Sequence, residues 1–191
     1  MMRDARSLLQ ALREPGSVEA LGNDQWPELI SIARAESLIG TLAHRLKDVT
    51  VPDRVRAILQ DAAEAHDLAR QQALWEADCA RRALADYPGK IVLMKGTAYV
   101  AADLAAGVGR SIGDLDIMVA REDLSVVEAA LLDAGWEWVK PDPYDDRYYR
   151  DYMHELPPLI HRERDRMIDV HHPILPLTAR LRPNAAAILQ N

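Results

Sequence analysis

At Asp114-Leu115-Asp116-Ile117-Met118-Val119 two carboxylates sit at i and i+2 as the chain enters an apolar run of β type. An extended strand is the conformation that suits this pattern, and it projects both acids from one face. Two like charges so close repel each other, and a fold tolerates them most easily with a cation between them. Oxygen-only donors of this kind favour Mg²⁺ or Mn²⁺. Many surface turns also carry an Asp-x-Asp pair, so the surroundings decide what this one means.

Those surroundings change character midway along the chain. Residues 1–88 read as helical: Leu8, Leu9 and Leu12 within Arg3–Arg13, then Leu29, Ile30 and Ala33 behind Trp26-Pro27, then Ile39–Leu46. From Pro52-Asp53 a long helical pattern runs to about Ala85 with no Gly or Pro, and its Ala-rich stripe suits packing within its own domain better than a coiled-coil arm. His44 and His66 fall in these helices and read as structural or surface residues. The break at Tyr87-Pro88-Gly89 opens a different region. Ile91–Met94 reads as a buried strand, Ala98–Leu104 as a helix, Leu115–Val119 as the next strand and Glu122–Ala134 as a helix closed by Gly135. Trp136–Val139 follows as a short strand and Pro141–Asp151 as a polar loop. His154–His161 and Met167–His172 read as two strands joined by the charged turn Arg162–Arg166. The expected division is therefore a helical domain over 1–88, an α/β (α+β) core over 89–175, and a tail or further helix over 176–191.

Composition narrows the functional classes. The net charge is −7. Residues 1–90 carry 12 basic and 14 acidic side chains, and residues 91–191 carry 11 and 16, so the excess acid lies with the Asp-x-Asp pair. Only Arg147/Arg150 and Arg162/Arg164/Arg166 form basic clusters, which argues against broad nucleic-acid binding. The single cysteine, Cys79, excludes an internal disulfide framework and fits a reducing compartment. The amino-terminal stretch has no apolar signal core, and no run approaches the roughly 20 apolar residues of a membrane span. The expectation is a cytoplasmic protein without a membrane partner.

Two further elements accompany the acid pair. Lys95-Gly96-Thr97 ends the first strand and opens a helix; a glycine there lets backbone approach a ligand, and the lysine can add a point charge to phosphate. Such turns are also common with no ligand. Later, Asp169 stands between Ile168 and Val170 in a strand pattern, so its side chain takes the face opposite theirs. If that is the face of Asp114 and Asp116, three carboxylates converge; a solvent-facing Asp169 is the plain alternative. The histidines do not spell a zinc site: His171 and His172 are adjacent and point to opposite faces, no cysteine supports them, and no His-x₃-His pair occurs. His171 shares a face with Asp169, so it and His154 are candidates for contacting acceptor or phosphate. Trp136, Trp138 and the tyrosines from Tyr144 to Tyr152 offer aromatic surface whose commoner use is packing.

The order Met94-Lys95-Gly96, Arg110-x-x-x-Asp114-x-Asp116 and Asp169-Val170-His171 resembles the polymerase-β-type nucleotidyltransferase superfamily. More narrowly it resembles a poorly characterised nucleotidyltransferase family with Leu-Lys-Gly, Arg-x-x-x-Asp-Ile-Asp and Asp-Leu-His motifs. The segment His154-Glu155-Leu156-Pro157-Pro158-Leu159 also looks like that family's approach to its last core strand. The likeness covers about residues 90–175, and Thr97 replaces the usual Ser or Gly while keeping a hydroxyl. It implies a nucleotidyltransferase core with a mixed sheet flanked by helices, behind the helical domain. It also implies transfer of an NMP group from an NTP, ATP among the candidates, to an acceptor hydroxyl with release of pyrophosphate. In that scheme Asp114, Asp116 and Asp169 hold Mg²⁺ (or Mn²⁺) and act as catalytic acids. Lys95, Gly96 and Thr97 cradle phosphates, and Arg110 either neutralises phosphate or pairs with a carboxylate. The acceptor is open between a small hydroxylated molecule, a protein and an RNA end. The chain ends soon after Asp169, where relatives usually continue into more helices. That keeps open a non-catalytic nucleotide-binding module; a metal-dependent phosphohydrolase using the same acids is the other alternative.

Overall fold

Leu8, Ala11, Trp26, Leu29, Ile32, Ala33, Leu42 and Val55 recur at helical spacing because they share one buried cluster. They belong to helices α1 (Arg6–Arg13), α2 (Trp26–Ala35), α3 (Ile39–Arg45) and the start of the long α4 (Asp53–Ala83). Pro27 sits in the first turn of α2, where its missing N–H leaves no helical bond unmade. The computed structural model describes residues 5–140 and 142–190, apart from the side chain of Asp145. The expected helix start at Arg3 and the loop start at Pro141 lie outside them.

The chain divides into two compact units. The first contains the described residues up to Gln72 together with Ala102–Ser111; the second contains Ala73–Ala101 and the chain from Ile112. The returning segment joins the first unit by a close approach at Gly109. There φ is +68°, a Cβ would lie 2.4 Å from the Gly40 backbone, and the Thr41 hydroxyl donates to the Gly109 carbonyl at 3.3 Å.

The second unit is built on a five-stranded mixed sheet of order β1-β2-β5-β4-β3. Its strands are β1 (Val92–Leu93), β2 (Asp114–Met118), β3 (Trp136–Trp138), β4 (Leu159–His161) and β5 (Met167–His171). Strands β2 and β5 pair in parallel at its centre, while β1–β2, β4–β5 and β3–β4 are antiparallel. One face, with Leu115, Ile117, Ile168 and Val170, is covered by Val127 and Leu131 of α6 (Leu124–Asp133), by Ala80 of α4 and by Leu84 just after it. Helix α6 ends at Gly135, whose φ of +104° few residues with a side chain adopt. Ala185–Gln190 forms a last short helix, α8. No helix among the described residues is long and apolar enough to cross a membrane.

Arginines that look like a basic surface in sequence are used internally. Arg164, in the β4–β5 turn, donates to both carboxylate oxygens of buried Glu76 at 2.9 and 3.2 Å and lies 4.7 Å from the Trp136 ring centre. Arg150 donates to Glu128 on α6 at 2.9 Å, and the same carboxylate oxygen accepts from the Trp138 indole N–H at 3.0 Å.

Three expectations need correction. Strand β1 is half-buried rather than buried, because it is an edge strand with a partner on one side only. The expected strand His154–His161 is broken: Glu155 makes an isolated bridge to His171, and regular pairing resumes at Leu159 after Pro157-Pro158, which supply no N–H to a ladder. The expected polar loop is a helix, α7 (Pro143–Tyr152). It has no apolar stripe to reveal it. Its supports are polar: the Asp142 carboxylate accepts from the Tyr144 N–H at 2.8 Å, and Arg150 pairs with Asp146 one turn back. Asp142→Ala should lower stability by about 1 kcal/mol and speed amide exchange at Tyr144. Urea denaturation and hydrogen exchange of the full chain check this.

Candidate active site

The parallel register places Asp114 opposite Met167, Asp116 opposite Asp169, and Met118 opposite His171. Period-2 alternation then gives Asp114, Asp116, Asp169 and His171 one common face of the sheet, the one turned away from the apolar cluster. Asp116, Asp169 and His171 each offer a ligand atom within 4.8 Å of the others. Asp114, one alternate position back on β2, is exposed and outside that group, but its charge acts on Asp169.

Asp116 is the anchor. It is 2 % exposed. The Lys95 ammonium meets its Oδ1 at 2.5 Å, and His171 Nε2 lies 2.8 Å from the same oxygen. Burial alone would raise the pKa of Asp116. The bonds from His171 and Lys95 outweigh it and hold the carboxyl below its ordinary value. An ionised carboxylate can only accept, so the His171 Nε2–H donates to Asp116, while Nδ1 faces Glu155 Oε2 at 3.4 Å. For Lys95, burial pulls the amine down, but the bond to Asp116 and the charges of Glu155 and Asp169 raise it overall.

Asp169 behaves oppositely. Burial, then the charges of Glu155, Asp116 and Asp114, push its carboxyl up to about 6. Four carboxylates thus act on one another around a single ammonium. Among the described residues, Asp116, Asp169 and His171 are grouped closely enough on this face to hold one metal ion.

Lys95 itself has φ of +46°, a left-handed conformation unusual for a side-chain-bearing residue, where β1 turns into α5 (Lys95–Ala101). The expected helix thus begins at the lysine. Gly96 and Thr97 are buried behind it, and the Thr97 hydroxyl has no hydrogen-bond partner among the described residues. Arg110 lies in the segment that folds with the first unit, its N–H donating to the Gly107 carbonyl at 3.3 Å. His154 borders the acid cluster, its ring centre 5.1 Å from that of His171. Burial, only partly offset by Glu155, lowers its pKa. His172 points to the other face, where burial pulls it down to about 4 and keeps it neutral. Trp136 and Trp138 are committed to the contacts described above.

Sequence reasoning passed over Glu155. It stands far from Asp169 along the chain and reaches the site only through its bridge to His171. No spacing rule marks it.

A mixed α+β sheet with acids on its central parallel pair is consistent with a nucleotidyltransferase fold. The family model described as "uncharacterised nucleotidyltransferase" matches residues 22–191, and the chain belongs to that family. No curated protein and no solved structure matches it.

The raised carboxyl has a measurable consequence. Asp169 ionises near 3.8 when unfolded and near 6 when folded, so the native state keeps the proton longer. Stability therefore falls as pH rises from about 4 to about 6 and stays lowered above that. Asp169→Asn should be more stable than wild type at pH 7 by about 1–2 kcal/mol, allowing for partial exposure, and should lose that advantage below pH 4. Urea midpoints across this pH range decide it.

Proposed function

We propose that the protein transfers an NMP group from an NTP to an acceptor hydroxyl in a reaction dependent on Mg²⁺ or Mn²⁺. The observation that carries this reading is the direct pairing of Asp116 with Asp169 across β2 and β5, with Lys95 on the same carboxylate. Bound at Asp114, Asp116 and Asp169, the dication would supply charge neutralisation at the attacking and leaving oxygens of an in-line displacement.

The remaining work falls to the chain's own groups. The acceptor oxygen forms a bond to the α-phosphorus as the bond to the bridging oxygen breaks, and pyrophosphate leaves with that electron pair. Asp169, a carboxylate on the same face as Asp116, is the group to take the acceptor proton. Lys95 is placed to exchange its contact with Asp116 for phosphate oxygens. Gly96 and Thr97, in the first turn of the helix that Lys95 opens, would bring backbone toward the phosphates. His171 is a positioning residue, since it is 1 % exposed and holds Asp116 through Nε2.

Incubation with each α-labelled NTP, Mg²⁺ or Mn²⁺ and a cell extract tests the reading. Wild type should label an acceptor and release pyrophosphate. Asp116→Asn and Asp169→Asn should each lose on the order of a hundredfold or more, matching several kcal/mol of charge stabilisation. Release of inorganic phosphate without pyrophosphate would identify a phosphohydrolase instead. Binding of Mg-NTP with neither product would identify a nucleotide-binding module.

A further inference from the structure

We propose that His154, Glu155 and His171 form a separate metal site, selective for a Zn²⁺-type transition-metal dication through two imidazoles and one carboxylate. The three residues offer ligand atoms within 4.8 Å of one another. His154 Nε2 and His171 Nδ1 each lie 3.4 Å from Glu155 Oε2. A tetrahedral centre with bonds of about 2.0–2.1 Å spaces its ligands by about 3.3–3.4 Å, so both separations already have the value such a centre requires.

His171 supplies the independent pointer to a ligand. It is 1 % exposed, and its Nδ1 has no hydrogen-bond partner among the described residues. With Nε2 on Asp116, Nδ1 points at Glu155 Oε2, 3.4 Å away, without making a hydrogen bond to it. That spacing is what two ligands of one metal ion show, and a cation between the nitrogen and the carboxylate oxygen would bind both. An imidazole that donates one N–H to a carboxylate while its other nitrogen faces a metal is the usual outer-shell arrangement of metal-binding histidine. Here Asp116 is that carboxylate, so the metal would fix His171 and through it the anchor of the acid cluster.

The backbone holds the three donors in place without a metal. Glu155 bridges His171, the Leu156 N–H donates to the Val170 carbonyl at 2.9 Å, and the His172 N–H donates to the His154 carbonyl at 3.1 Å. A bend at Met153-His154 accompanies the approach of the His154 ring to Oε2 of its sequence neighbour Glu155. Three protein ligands leave a fourth position for water, as in open rather than closed zinc sites. Two imidazoles distinguish this site from the Asp114–Asp116–Asp169 face, since nitrogen donors favour Zn²⁺ or Co²⁺ over Mg²⁺.

The site does not depend on the nucleotidyl-transfer reading, and its test uses no nucleotide. Full-length protein is titrated with ZnCl₂ by calorimetry and with Co²⁺ by visible absorption, with circular dichroism to verify folding. Wild type should bind one equivalent of Zn²⁺, give a tetrahedral-type Co²⁺ spectrum, and keep its Zn²⁺ in about a hundredfold excess of Mg²⁺. His154→Ala and Glu155→Gln should each weaken binding at least about tenfold, whereas Asp169→Asn should bind as wild type. If one of the first two variants does not fold, the other is decisive. The proposal is overturned if wild type binds neither metal or if the folded variants bind as tightly as wild type. It is equally overturned if Asp169→Asn loses as much affinity as they do, which would place the metal on the aspartates.

Discussion

The parallel pairing of β2 with β5 is the constraint on which the second unit depends. Its register sets Leu115 beside Ile168 and Ile117 beside Val170 on one face, and Asp116 beside Asp169 on the other. A slip of one residue would turn Ile168 and Val170 toward the polar face and Asp169 into the apolar cluster. Burial of the hydrophobic face therefore also sets the geometry of the acids. The same side-chain alternation produces the core and the candidate active site.

That geometry has an electrostatic cost, and the surrounding residues show how it is met. Asp116 is buried yet ionised because Lys95 and His171 both serve one of its oxygens. Asp169 has no comparable partner, and its carboxyl is pushed up toward neutrality. The left-handed backbone at Lys95 belongs to the same arrangement, since it turns the chain at the point where the ammonium reaches Asp116. Away from this face, Arg164 on Glu76 and Arg150 on Glu128 tie the β4–β5 turn and α7 to helices of the same unit.

The legible parts of the fold were those with a strong periodic signal or a strong breaker. Helices α1 to α4 carry apolar residues at helical spacing, and α6 ends at a glycine that has the expected positive φ. Helix α7 was missed because polar caps and ion pairs, rather than an apolar stripe, support it. The composition change at Tyr87-Pro88-Gly89 marks where helix gives way to sheet, while the compact units part earlier, inside α4. No local pattern marks that division, because a continuous helix keeps the same period on both sides of it.

For the candidate site, the sequence by itself determined that Asp114 and Asp116 share one face, and that Asp169 and His171 share one face, because strand period is a local property. It also supplied the order of motifs by which the family could be suspected. Only the tertiary structure decided that the two faces are the same, since strand pairing joins segments more than fifty residues apart. Only it brought Glu155 to His171, put Lys95 on Asp116, and placed Arg110 with the other compact unit. Those outcomes rest on long-range register and burial, which the burial of a whole sheet face selects and no short stretch of residues encodes.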